Sequence, residues 1–170
     1  KISCVDQDDY SAMFSGINAM QGTGVSFSRA KLNMLPYPDA SFEAIYCISV
    51  LEHTANYEEI VKEFSRLLKP GGVAIITFDI SLDGSPQGLS LPAAHGLLGS
   101  IGGRLSLEYT PDDLTADIAS ADIYTSAHVK RLKRFDLLPW PRRSLRTMIK
   151  DMLSDKKSVP FCNMTFCNII

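Results

Sequence analysis

The sequence holds only 4 cysteines, 3 histidines and 1 tryptophan in 170 residues. The cysteines, at positions 4, 47, 162 and 167, are too few and too scattered to frame a disulfide scaffold. Reduced thiols and a cytoplasmic location are the expectation. Cys162 and Cys167 have no second pair and no nearby histidine, so no metal site is read. No run reaches the roughly 20 apolar residues of a membrane span. The longest, 44–51 and 73–78, have strand length. A basic start leading into an apolar stretch and a small-residue cleavage site is also missing, so no secretory signal is read. The glycines at 99, 102 and 103 lack the Lys-Ser/Thr that completes a phosphate loop.

What is present describes a soluble globular domain. The chain is 45% apolar and 21% charged, and long enough to bury its own core. Its net charge of −2 is unevenly spread. Residues 1–129 hold 7 basic and 16 acidic side chains, whereas 130–157 hold 10 basic and 3 acidic. A solvated helix face accounts for the basic block, and an anionic substrate is the alternative. Phe135 and Trp140 interleave with it, but the overall negative charge disfavours nucleic acid. The chain opens on Lys1 and enters a strand-like run at once, so a preceding segment is expected.

Periodicity supplies the elements. Residues 2–5 read as a strand ending at Asp6. Tyr10, Met13, Phe14, Ile17 and Met20 recur at three and four, the spacing of an amphipathic helix, stopped by Gly22-Thr23-Gly24. A short strand follows at 25–27. Pro36 and Pro38 make 35–39 a loop. The nearly unbroken apolar run 42–51 reads as a strand covered on both faces. Asn56 and Glu59 suggest a capping box for a helix carrying Ile60, Val61, Phe64, Leu67 and Leu68 on one stripe. Lys69-Pro70-Gly71-Gly72 is read as its stop and a tight turn. A buried strand at 73–78 then ends at Asp79. Residues 80–108 show no clear period. Thr110 and Asp113 cap a helix to about 121, a second amphipathic helix spans 142–153, and 161–170 reads as a closing strand. Strands alternating with helices imply parallel pairing through right-handed crossovers.

In open parallel sheets, ligands bind at the carboxyl ends of strands. Asp6, the segment 29–35, residues 49–54 and 79–83 therefore come first. An acid at such a strand end accepts both ribose hydroxyls, and capping of the next helix is the other reading of Asp6.

The stretch Met34-Leu-Pro-Tyr-Pro-Asp-Ala-Ser-Phe-Glu-Ala-Ile-Tyr-Cys-Ile-Ser-Val-Leu-Glu-His53 resembles the middle motifs of class I S-adenosylmethionine-dependent methyltransferases. Leu67-Leu-Lys-Pro-Gly-Gly-Val-Ala-Ile-Ile-Thr77 resembles the later motif of that family. The two blocks lie in order, and the resemblance covers about residues 1–80. It implies that Asp6 holds the ribose diol and that Lys31, Leu32 and Asn33 frame the adenine. It further implies that Ser49, Val50 and Leu51 lie beneath the methionine part of the cofactor, with Glu52 and His53 on the substrate side. The glycine-rich loop of the family does not precede Asp6 here. Lys31 falls where the family places an acid toward the adenine amino group; lysine has donors only, which leaves Asn33 to accept. His53 is the candidate base, since an unperturbed imidazole titrates near neutral pH. Filling the pocket wall is its structural alternative.

The expectation is thus one Rossmann-like, doubly wound α/β domain over 1–170, mostly parallel, with helices on both faces and its first strand missing. Residues 1–80 form the cofactor side, 81–157 the substrate side and 158–170 the closing strand. The function implied is methyl transfer from S-adenosylmethionine to a small-molecule acceptor, anionic if the basic block faces it. Neither membrane nor nucleic acid is expected as a partner, and a homo-oligomer is an option if a central strand edge is open. A non-catalytic methyltransferase-like binding domain and a nicotinamide oxidoreductase are the alternatives.

Overall fold

A computed structural model describes residues 1–84, 86, 88–107, 109–120, 123 and 125, and the backbone of 164–169. The basic block at 130–157 and the helix read at 142–153 lie outside these residues.

The first unit is a parallel pair. Strand β1 (Ser3–Asp6) crosses through helix α1 (Ser11–Gln21) to strand β2 (Ser26–Arg29), with Ser3 opposite Ser26 and Asp6 opposite Arg29. Gly22 caps α1 at φ 63°, a left-handed conformation that glycine adopts without a Cβ clash. Burial follows the predicted stripe only in part. Phe14 stacks on Phe27 with centroids 5.2 Å apart, whereas Met13 and Met20 are 50% and 82% exposed.

The second unit holds the core. Strand β3 (Phe42–Ile48) leads through a single 3-10 turn (Leu51–His53) to helix α2 (Tyr57–Leu67), then strand β4 (Leu68–Ser81), helix α3 (Leu91–Gly102) and helix α4 (Pro111–Ser120). Strand β5 (Met164–Ile169) returns antiparallel to β4, within the segment read as a closing strand. β3 and β4 are parallel, with Cys47 opposite Ile76 and Ile48 opposite Thr77. Because side chains alternate along a strand, this register puts Cys47, Ile76, Phe78 and Ile80 on one face. Those four are buried beneath Ile60, Val61 and Phe64 of α2 and Leu97, Leu98 and Ile101 of α3. Each fully buried aliphatic or phenyl group contributes about 1.5–3 kcal/mol. The opposite face presents Tyr46, Ile48 and Val73, all exposed, so β3 is covered on one face and not on both as its apolar run suggests.

Three local expectations are corrected. Asn56 makes no side-chain cap; its amide donates instead to the Glu59 carboxylate at 3.2 Å. Lys69–Gly72 is not a turn after the helix. Leu68 is already extended and paired with Phe42, and 69–72 forms a bulge inside β4. Between the pairs Phe42–Leu68 and Ala44–Val73, β3 advances two residues and β4 five. Finally, the segment read as patternless contains α3. Its buried residues Ala94, Leu97, Leu98 and Ile101 do keep helical spacing, but three internal glycines mask it. Ser90 caps this helix by accepting from the Ala93 amide, and Pro92 sits in its first turn, where no amide donor is needed. The Thr110–Asp113 box forms as expected, each side chain accepting from the other residue's amide.

The bulge has no room for a side chain at Gly72. A Cβ there would lie 2.9 Å from the Lys69 carbonyl and 3.1 Å from the Glu43 carbonyl. We expect Gly72→Ala to cost about 1–3 kcal/mol, measured by urea unfolding. Gly99→Ala, which meets nothing within 4 Å in α3, is expected to stabilise by up to about 1 kcal/mol.

Candidate active site

The segment after β2 descends along α2, and side chains of α2 hold it. The Asn33 amide donates to Glu59 at 2.7 Å, and the Leu35 amide donates to Glu63 at 2.7 Å. Arg66 donates to the Tyr37 carbonyl at 3.0 Å, to Asp39 at 2.5 Å and to Glu63 at 2.7 Å. Main-chain bonds from Ala40 to Arg66 and from Ser41 to Leu67 finish the run and deliver the chain to the foot of β3. These bonds hold the Glu63 carboxyl below its ordinary range, chiefly through Arg66. The Asn33–Glu59 bond thus ties the loop after β2 to the first turn of α2.

Asp6 closes β1. Its Oδ1 accepts from the Asp8 amide at 2.9 Å, and its carbonyl accepts from the Ala30 amide at 2.9 Å. The carboxylate therefore shapes the turn after β1 and does not cap α1, which begins at Ser11 without a side-chain cap. Beside it, Tyr10, Met13, Phe14 and Phe27 line a cavity of about 250 Å³. Lys31 is exposed, and Leu32 packs on the main core. Asn33, half-buried, commits its donor to Glu59, so its carbonyl is the side available as an acceptor.

The end of β3 is built tightly. Ser49 adopts φ 50°, an uncommon conformation for a residue with a Cβ. Its amide is bonded to the Thr77 carbonyl at 2.9 Å and the Thr77 hydroxyl at 3.2 Å. Val50 packs partly on the core, and Leu51 is wholly buried. Glu52 and His53 follow in the 3-10 turn, Glu52 half-buried and His53 exposed.

Asp79 opens the segment 79–83 that the strand-end rule singles out, without a specific role. It lies in β4 next to the 3-10 turn, and its amide donates to Glu52 Oε1 at 3.3 Å. The remaining oxygens, Glu52 Oε2 and Asp79 Oδ1, are shielded from solvent and accept no hydrogen bond. Burial raises both carboxyls above their ordinary values, and the nearby His53 opposes the rise. Beyond Asp79 the chain folds back on itself. Leu89 donates to the Asp79 carbonyl and accepts from the Ser81 amide, both at 2.8 Å. A Cβ on Gly88 would stand 3.0 Å from each of those two main-chain atoms. The sequence signal for Asp79 was its place at the end of an apolar run, the same place Asp6 takes.

These features fall within a family match. The model of a methyltransferase domain matches residues 2–76. Over this part the chain is similar to methyltransferases. The chain is 31% identical to ajmaline N-methyltransferase of Rauvolfia serpentina over 99 residues, 56% of this chain and 34% of that protein. It is 36% identical to 27-O-demethylrifamycin SV methyltransferase of Amycolatopsis mediterranei over 69 residues, 41% of this chain and 25% of that protein. The chain therefore spans about a third or less of these relatives. Among solved structures, the [4+2]-cyclase SpnF superposes with a TM-score of 0.53 at 26% identity over 61% of this chain and 42% of its own. A Galdieria sulphuraria protein described as a sarcosine dimethylglycine methyltransferase superposes with a TM-score of 0.58 over 99% of this chain and 68% of its own. At 18% identity that second likeness shows the fold alone. The Rossmann-like α/β class read from the sequence stands. Among the described residues no helix is long and apolar enough to cross a membrane.

Burial of Glu52 leads to a pH prediction. The folded pKa is raised, so the unfolded chain releases this proton at lower pH than the folded one. The stability carried by the neutral carboxyl is full below the ordinary value and is lost as pH rises through the raised one. Cys47 on β3, Asp79 on β4 and His53 on the same turn are the titratable groups acting on it. We expect Glu52→Gln to gain stability relative to the unmodified chain between roughly pH 4 and roughly pH 7. Urea midpoints at the two pH values measure it, and a constant difference would contradict it.

Proposed function

We propose that the protein transfers a methyl group from S-adenosylmethionine to a small-molecule acceptor. The observation that supports this best is the match of a methyltransferase domain to residues 2–76, within which Asp6 closes β1 and Asn33, after β2, is tied to Glu59 of α2. The donor set suits the cofactor. Asp6 would accept from the ribose diol with its unused oxygen, the Asn33 carbonyl would face the adenine amino group, and the main chain at Ser49–Leu51 would lie along the methionine part. The shielded carboxylate oxygens of Glu52 and Asp79 are acceptors in need of a donor or a cation. The bound cofactor supplies an activated methyl group, and the protein's task is to align it with a nucleophile and keep competing water away.

His53 is the base in this reading. It is exposed, next to Glu52, where it can take a proton from an acceptor as the new bond forms. The acceptor is read as anionic, on the strength of the basic side chains at 130–157. A second reading, a methyltransferase-like domain that binds without transferring, draws on exposed Lys31 at the position where the adenine needs an acceptor. Binding of the cofactor without turnover would favour it.

Calorimetric titration with S-adenosylhomocysteine tests the first step. We expect saturable binding to the chain, weakened about tenfold by Asp6→Ala, the loss of one good hydrogen-bonded contact or about 1.4 kcal/mol. Absence of binding at millimolar ligand would remove the proposal.

A further inference from the structure

Helix α1 carries an apolar stripe wider than the contact it makes. Phe14 commits one edge of it to Phe27, with centroids 5.2 Å apart. Asn18 ties the same side to the Val25 main chain through bonds at 2.8 and 3.0 Å. The rest of the stripe, Tyr10, Met13, Ile17 and Met20, is exposed. Steps of three and four residues set these four side chains along one flank. None of the 11 residues of α1 is charged, so the helix interrupts the acidic surface that residues 1–129 otherwise carry. An apolar flank without charge is suited to meet another surface rather than water. Its two ends differ in sign. Asp8 and Asp9, both exposed, stand before the first turn. Arg29, which donates to the Gln7 carbonyl at 2.9 Å, stands near Asp9 and offsets it, so Asp8 keeps that end acidic. At the far end, the Ser26 amide donates to the Ile2 carbonyl at 3.0 Å, and Val25 is held by Asn18. This puts exposed Lys1 and Ile2 where α1 stops. The flank thus runs from acid through apolar to base.

We propose that this flank is a self-association surface, on which a second copy of the chain docks through its own α1 with the two helices antiparallel about a two-fold axis. A two-fold contact sets a patch on its own copy, so the patch must complement itself. The order acid, apolar, base does so when turned end for end. Asp8 then faces the Lys1 end of the other copy, Met13 faces Met20, and Ile17 lies beside the axis. A parallel arrangement would instead set Asp8 against Asp8 and Lys1 against Lys1. The acidic bodies repel one another elsewhere, which leaves the uncharged flank as the place of approach. Methionine, unbranched and polarizable, fills an irregular seam between two helices. A helix of 11 residues is about 16 Å long. Its flank falls short of the roughly 800 Å² per partner of a standard interface, so the pairing is weak and reversible. Asp6 lies ahead of α1, and the antiparallel arrangement therefore sends the two candidate cofactor sites to opposite ends of the dimer, each complete in one copy.

Sedimentation equilibrium on the full chain at low salt tests this. We expect a monomer–dimer equilibrium with a dissociation constant on the order of 10–100 μM. Met20→Glu and Ile17→Lys each place like charges on both sides of the contact and should weaken association about tenfold or more, with the circular dichroism spectrum of the unmodified chain retained. Lys1→Glu should weaken it by a smaller factor, about threefold. Combining Lys1→Glu with Asp8→Lys should restore association, because the exchanged pair is again opposite in sign; non-specific sticking of an apolar patch would not respond in this way. A chain that stays monomeric to about 500 μM, a dimer as tight in Met20→Glu as in the unmodified chain, or a double variant no tighter than Lys1→Glu overturns the proposal. Monomeric behaviour of a longer form that carries residues ahead of Lys1 assigns the flank to that segment. Pelleting of a monomeric chain with phosphatidylcholine vesicles assigns it to lipid. Either of these two outcomes also overturns it.

Discussion

The parallel register of β3 against β4 is the constraint on which the rest depends. Pairing Cys47 with Ile76 and Ile48 with Thr77 settles two matters at once. It aligns Cys47, Ile76, Phe78 and Ile80 as the floor on which α2 and α3 pack. It also brings the ends of the two strands level, so that Glu52 and Asp79 meet. A slip of one residue would turn the apolar set to the other face and part the carboxyls. Core and site are therefore two results of one alignment, and the buried side chains that resist slippage also keep the carboxyls adjacent.

Helix α2 joins this sheet to the first parallel pair. Its inner stripe, Ile60, Val61, Phe64 and Leu67, belongs to the core. Its polar side chains Glu59, Glu63 and Arg66 take hold of the loop from Asn33 to Asp39. An exposed ion pair alone is worth little. Here the charges are used mainly on main-chain groups of a proline-containing loop, where they satisfy amides and carbonyls that have no strand or helix to join. The loop thus follows a definite path from the end of β2 to the foot of β3.

Much of this was legible in the residues. The continuous apolar runs at 44–51 and 73–78 marked strands, although only one face of them is buried, and the stripe through Phe64 and Leu67 gave α2. Gly22 and the Thr110–Asp113 pair marked helix boundaries by local chemistry, which needs no tertiary information. Three features were not legible, each for a physical reason. Helix α3 was hidden because Gly96, Gly99 and Gly102 are poor helix formers, and its stability comes from packing Leu97, Leu98 and Ile101. Lys69–Gly72 has the composition of a turn, and only the pairing of Leu68 with Phe42 makes it a bulge within a strand. The Glu52–Asp79 contact joins residues 27 apart, a proximity created by the crossover and invisible to any local pattern. Asp6, Asn33 and His53 were identifiable as strand-end residues, whereas the Glu59 bond that orients Asn33 required the fold.

The third strand of the main sheet has a consequence for how the protein comes off the ribosome. β5 pairs with β4 through Ser81–Met164 and Ile76–Ile169, so the edge of β4 waits for more than eighty residues of later chain before it is covered. Until then a nascent chain displays a row of free amides and carbonyls along an apolar strand, the template on which neighbouring chains join. Losing the last few residues of the strand during synthesis would leave that template permanently open, in a molecule whose helical core had already formed.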